Sequence, residues 1–373
     1  MRNQVRRLLA AALVAIAAGA VTAAAATARS QTSVEGVAHA LVARGLAPGA
    51  AAFAKAGDRT STTAAGVSDL ETREPLRPDA RVRVGSTTKT MTAVVVLQLV
   101  QEGRFQLDED AHSLLPGLLP DGPPITIREL LNHTSGLFNY TRDPGVRATW
   151  GTDDVPGPLE LVQIAAAYGL DFDPGTAWEY SNTNYQVLGL IVEKVTGESL
   201  AGELSRRIFV PLGLRATALD PGRDISGPHA HGYYLYRDAP PIDETRTTFG
   251  AWADGGVVSN ARDLGRFYSA LFQGRLLSPR MMSELETTVE TGGFPDGDEA
   301  GLGLFRTTLR CGDAWSMSGG SAGFLAKVLV SGDGSRVVAF VTNGFLDDGP
   351  ETQQALDSGA ADAFCRQVVA GRG

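Results

Sequence analysis

The chain has 373 residues, 43% hydrophobic and 20% charged, enough for one large domain or two closely packed ones. Its net charge is −9. Setting aside the first 28 residues, which carry Arg2, Arg6 and Arg7 and no acid, leaves −12. So acidic a body argues against nucleic acid and anionic membranes as partners.

Residues 1–28 read as a secretory signal: a basic start, an alanine-rich apolar run over 8–26, and the cleavage site Ala26-Thr27-Ala28. The competing reading is an uncleaved anchor, because the run approaches spanning length. Alanine is only weakly hydrophobic, and with the cleavage site this favours removal, a secreted protein and no stable membrane association afterwards. A short helix is expected over 34–45. Two strands follow over 48–55 and 60–67, turned by Ala56-Gly57-Asp58. Residues 81–84 lead into Ser86. The run 91–100 is apolar on nearly all sides and predicts a buried helix, with Gly103 at its C-terminal end. From 107 to 241 the chain is broken by Pro, Gly and Asn, with helical stretches over 127–132, 159–168 and 185–196. Helix returns over 261–272. Two apolar strands over 324–330 and 337–342 are joined by Ser331-Gly332-Asp333-Gly334, and a last helix over 351–369 carries Cys365. Strands at both ends with a helical middle predict an α/β (α+β) fold. An antiparallel sheet built from 29–106 and 242–373 is flanked by helices, and 107–241 forms an inserted helical lobe. Cys311 and Cys365 form an even pair, read as a disulfide outside the cell or as two buried thiols.

Only Lys55, Lys89, Lys194 and Lys327 of the 33 basic residues are lysine. Lys89 lies three residues after Ser86, where a helix begins. Arginine does not lose its proton in proteins, whereas a desolvated lysine can, so Ser-x-x-Lys supplies a nucleophile and a base. The plainer reading makes Ser86 an N-cap. Further on, Tyr180-Ser181-Asn182 offers a proton shuttle and an amide that can hold a lysine, or else an ordinary turn before a helix. Ser318-Gly319-Gly320 can offer backbone N–H groups to an oxyanion, or else marks a bulge.

In this order the three motifs resemble those of the penicillin-recognising serine hydrolases, in particular class C β-lactamases and secreted actinomycete-type D-alanyl-D-alanine carboxypeptidases. The stretches 83–89, 131–137, 180–185 and 301–304 carry the resemblance, and the Cys311 and Cys365 pair looks like the disulfide of the carboxypeptidase branch. The resemblance implies a β-lactamase/transpeptidase-like fold and an acyl-enzyme on Ser86. Lys89 would be the base, Tyr180 the proton carrier and Asn182 the orienting amide. The N–H groups of Ser86 and Gly320 would form the oxyanion hole, beside Ser318 and Gly319. It implies no metal or organic cofactor, and a small peptide, ester or β-lactam as substrate; a monomer is expected, though nothing in the sequence specifies the oligomeric state. The activity it implies first is that of a carboxypeptidase on cell-wall-type peptides; the alternatives are a neutral-substrate esterase, amidase or β-lactamase, and a binder without turnover.

The chain departs from the pattern twice. Met317 stands where Lys or His usually precedes Ser/Thr-Gly, and Phe305 stands where the carboxypeptidase branch has an arginine, with Arg306 next. A thioether cannot hold a carboxylate. The expectation is that acyl transfer survives while recognition of a free carboxylate weakens. Two other motifs compete. Residues 319–323 match G-x-S-x-G, yet none of the five histidines follows Ser321. His229-Ala230-His231 lacks the companions of a metal site.

Overall fold

The computed structural model describes residues 33–347 and 349–370; the signal-like segment lies outside the described residues. Its principal elements are α1 (Val34–Ala43), β1 (Gly49–Ala56), β2 (Arg59–Gly66), β3 (Val82–Arg83), α2 (Thr87–Gln101), α3 (Ile127–Asn132), α4 (Pro158–Ala167) and α5 (Thr183–Thr196). They continue with β4 (Val257–Ser259), α6 (Ala261–Phe272), β5 (Val289–Phe294), β6 (Gly297–Ala300), β7 (Phe305–Leu309), β8 (Gly312–Ser321), β9 (Phe324–Val330), β10 (Arg336–Thr342) and α7 (Glu351–Ala370).

Eight strands form one antiparallel sheet in the order β2-β1-β10-β9-β8-β7-β6-β5, so the two ends of the chain meet where Ala50 pairs with Thr342. Successive side chains of a strand face opposite sides, and here both sides are covered. Val337, Ala339 and Val341 of β10 join one apolar cluster, with α2 and α6, while Val338 and Phe340 join another, with α1 and α7. Burial on both faces is why the strand reads as one continuous apolar run. The first cluster continues through Leu130, Leu188 and Ile191, so the helical middle and the sheet share a core. The chain between α2 and β4 also carries short strands. Ala218–Leu219 pairs with β4, and Tyr233–Leu235 pairs in parallel with Gly344–Leu346. Cys311 and Cys365 are disulfide-bonded, tying the β7–β8 turn to α7.

Helix α2 is the central helix. It starts four residues before the apolar run that marks it in sequence, because buried threonines extend it. Each finds a backbone partner: Thr87 Oγ1 donates to the Val84 carbonyl at 3.0 Å, Thr90 to Gly303 at 2.7 Å and Thr92 to Ala253 at 2.7 Å. The Val257 N–H donates to Thr88 Oγ1 at 3.1 Å. Buried hydroxyls need such partners, and these ones fix the first two turns against 253–257 and the turn before β7. Gly103 follows the last turn with φ +73°, the left-handed conformation expected of it.

Candidate active site

Ser86 occupies the N-cap position of α2 but makes no capping hydrogen bond; its φ is −60° and ψ −11°. The capping reading therefore fails. Its Oγ faces Lys89 instead, one turn along the same helix. Lys89 is 0% exposed, and its Nζ donates to Ser86 Oγ at 3.1 Å, Asn182 Oδ1 at 2.7 Å and the Asp254 carbonyl at 2.7 Å. Asn182 is likewise the N-cap residue of α5 without capping it. Tyr180 Oη donates to Ser86 Oγ at 2.8 Å. Residues from two separate motifs thus converge here: Lys89 and Tyr180 meet the Ser86 hydroxyl, and Asn182 holds Lys89.

Desolvation lowers the Lys89 pKa to about 8, against the opposing pull of Asp254 and Asp296. Part of Tyr180 stays accessible, but its hydroxyl end is buried, and that burial holds the phenol well above its ordinary value. The two groups are pushed in opposite directions: the lysine toward neutrality near physiological pH, the tyrosine toward keeping its proton. A neutral lysine has two N–H bonds and one lone pair. The Asn182 amide oxygen and the Asp254 carbonyl only accept, so they take both N–H bonds and leave the lone pair aimed at the Ser86 hydroxyl. Such a centre can withdraw a proton from Ser86.

The β8 edge completes the site. Its residues 312–316 pair with β7, and beyond them it approaches Ser86. A Cβ on Gly319 would lie 1.9 Å from the Val84 carbonyl oxygen and 3.0 Å from the Ser86 nitrogen, and one on Gly85 would lie 2.3 Å from the Gly320 oxygen. Glycine at these positions lets the two backbones touch. That contact brings the N–H groups at 86 and 320 into one region.

The remaining predicted residues lie around this centre. Ser318 Oγ accepts from Lys327 at 3.0 Å. Met317 is buried in the core on the α2 side of the sheet. Phe305 is buried with its ring 5.1 Å from Phe294 and 6.2 Å from Trp178. Phe294 also stacks on Tyr180 at 5.3 Å, so an aromatic wall adjoins the Ser86 and Tyr180 hydroxyls. The Arg306 guanidinium is taken up by Glu299. The G-x-S-x-G match falls in the β8–β9 hairpin, not at a strand-to-helix turn. His231 Nδ1 pairs with Asp243 at 2.7 Å.

Two residues that the motifs do not single out are part of the constellation. His133, in the left-handed conformation that ends α3 (φ +67°), is buried; burial and the Lys89 charge hold its pKa well below the usual range. It stays neutral and accepts at Nδ1 from the Ser181 N–H at 3.2 Å while its ring stacks on Tyr180 at 4.5 Å. Asp254 is 3% exposed. Its carboxylate accepts from Tyr140 Oη at 2.8 Å, Gln186 Nε2 at 3.0 Å and the Trp252 N–H at 2.9 Å, and so holds the carbonyl that receives Lys89. His133 is visible in sequence within the stretch 131–137. Asp254 acts on Lys89 through its main chain and leaves no motif.

A sheet assembled from both chain ends, with Ser-x-x-Lys on a central helix facing Tyr-x-Asn, defines a serine acyl-transfer hydrolase. The chain belongs to the beta-lactamase family, whose model matches residues 34–361. It is similar over 89% of its length to a D-stereospecific amidohydrolase from Streptomyces sp., covering 97% of that chain, with 37% identity and a TM-score of 0.77. Penicillin-binding protein 4* of Bacillus subtilis is 28% identical over 78% of this chain and 66% of its own length. Esterase EstB of Burkholderia gladioli is 35% identical over 41% of this chain and 42% of its own. The chain thus spans just under two thirds of the first of these curated relatives and under half of the second.

Proposed function

We propose that this protein hydrolyses amides and esters lacking a free carboxylate beside the scissile bond, through an acyl-enzyme on Ser86. The observation that carries the reading is the fate of the positions available to grasp a carboxylate. Met317 and Phe305 are buried apolar residues, and Arg306 is neutralised by Glu299. The similarity to a D-stereospecific amidohydrolase and to an esterase supports it. The aromatic wall of Trp178, Phe294 and Phe305 suits an apolar substituent on the substrate.

In this mechanism Ser86 Oγ bonds to the substrate carbonyl carbon as its proton passes to Lys89. The oxyanion is held by the N–H groups of Ser86 and Gly320. The bond to the leaving amine or alcohol breaks, and that group takes a proton from Tyr180, which is restored from the Lys89 ammonium. Water then attacks the ester on Ser86 by the same steps in reverse. His133 keeps Tyr180 in place by stacking, and Asn182 and Asp254 keep the lysine lone pair on the serine.

A second reading, a carboxypeptidase of D-alanyl-D-alanine type, has one observation in its favour: the Lys327 ammonium at 3.0 Å from Ser318 is a cation near the cleft. Steady-state kinetics on paired substrates separate the two. The amidase reading predicts higher kcat/KM for a D-amino-acid amide or a short ester than for a D-alanyl-D-alanine peptide; the reverse order overturns it. Repeated turnover also separates an enzyme from a binder that acylates once. The reading extends to an exported monomer, and the disulfide supports the export. Fractionation of the producing cells and size-exclusion chromatography test it.

A further inference from the structure

Two of the four lysines are buried. One is Lys89; the other, Lys327 on β9, is 4% exposed and takes no part in the steps above. It stands directly across the ladder from Ser318. Its Nζ donates to Ser318 Oγ at 3.0 Å, to Asp296 Oδ1 at 3.3 Å and pairs with Asp357 Oδ1 at 3.2 Å. Two of its three N–H bonds go to Ser318 and Asp296, and Asp357 is a second ion-pair partner. One cation is therefore set against two carboxylates.

Three consequences follow for the cleft. Ser318 receives its hydrogen bond from Lys327, so its own hydroxyl proton is left to donate. Lys327 is already engaged by Ser318, Asp296 and Asp357. And the cluster behind Ser318 carries a net charge of −1. Chain neighbours of its members adjoin Ser86 and Tyr180: Gly319, next to Ser318, abuts Ser86, and Phe294, two residues before Asp296, stacks on Tyr180. A neutral carbonyl oxygen suits a serine donor placed there. A carboxylate would meet two like charges, with Lys327 already engaged and Lys89 held by Ser86, Asn182 and the Asp254 carbonyl, and like charges so placed are mutually unfavourable.

We infer that Lys327, Asp296 and Asp357 form a positioning cluster that makes Ser318 a hydrogen-bond donor for a neutral amide or ester carbonyl and turns a free carboxylate away. This rests on the amide and ester reading but goes beyond it. The rejection of carboxylates is assigned to three named side chains, and their removal has opposite signs.

The test uses p-nitrophenyl acetate hydrolysis as reporter and compares inhibition by D-alanyl-D-alanine with inhibition by D-alanyl-D-alaninamide, a pair differing in the terminal charge. Asp296→Asn combined with Asp357→Asn leaves the lysine cation uncompensated. The ratio of the two inhibition constants should then move toward the carboxylate by about tenfold or more. Lys327→Met should move it the other way, toward the amide. A merely structural role would weaken both inhibitors alike and leave the ratio unchanged. An unchanged ratio in the acid variants overturns the inference; should Lys327→Met not fold, those variants carry the test alone. A wild-type enzyme that prefers the carboxylate would instead overturn the amide and ester reading. The direction of the shifts would still decide the role of the cluster.

Discussion

Helices in this protein begin in two ways. Away from the site, Thr126 opens α3 with a full capping box to Glu129, and Asn260 opens α6 by accepting from the Asp263 N–H at 2.9 Å. At the site, Ser86 and Asn182 stand at the same position of α2 and α5, with residue types equally suited to capping, and neither caps. Their side chains go to Lys89. An N-cap is ordinarily worth about 1 kcal/mol, so the two helices that meet at the candidate site forgo stability that their neighbours keep. The loss is tolerated because both helices are held by other contacts. The α2 threonines bond to backbone on three sides, and Thr183, Asn184, Tyr185 and Gln186 are buried in the first turn of α5.

This contrast can be broken by substitution, and the largest expected effect is at Ser86. Ser86→Ala should abolish turnover, by on the order of 10⁴-fold or more, without lowering the melting temperature, because no cap is lost. A marked loss of stability would mean that the serine caps after all. Tyr180→Phe should lower kcat by about 10²–10⁴-fold, the usual range for a lost proton carrier. Asn182→Ala removes one charge-assisted hydrogen bond to Lys89 and should cost about 10–100-fold in kcat/KM, again with little change in denaturation midpoint.

The pH dependence sharpens the same picture. In the proposed mechanism Lys89 acts only when neutral, and desolvation brings its pKa to about 8. Activity should therefore rise with pH and level off above that value. The Asp254 charge favours the ammonium, so Asp254→Asn should move the acid limb to lower pH. A profile that falls in amplitude without moving would assign Asp254 a structural role alone. The smallest effect is expected away from the site: Asn260→Ala should lower stability by about 1–2 kcal/mol in denaturant titration and leave kcat/KM unchanged.

How far the sequence reveals this molecule depends on which part of a residue acts. Ser86 and Lys89 are legible because a helix brings positions i and i+3 together. Tyr180 and Asn182 are legible only through motif order, since 94 residues separate Tyr180 from Ser86. The strands of 324–342 are legible as doubly buried apolar runs. Strands β5 and β6 are not, because their hairpin, with Thr291-Gly292-Gly293-Phe294-Pro295-Asp296-Gly297, has turn composition and lies at the sheet edge. The apolar run alone marks α2 too late for a related reason: Thr87, Thr88, Thr90 and Thr92 disfavour helix locally, their tertiary hydrogen bonds override that preference, and only the Ser-x-x-Lys motif marks the start. Asp254 works through a carbonyl oxygen, and Lys327 works across a strand ladder, so neither has a linear signature.

The measurement that bears most directly on the account is intact-mass spectrometry of the protein quenched during turnover of a p-nitrophenyl ester, followed by peptide mapping, with Ser86→Ala alongside. The account predicts a single acyl adduct on the peptide containing Ser86, transient in the wild type and absent from the variant. An adduct that persists in Ser86→Ala, or that maps to another residue, would contradict it.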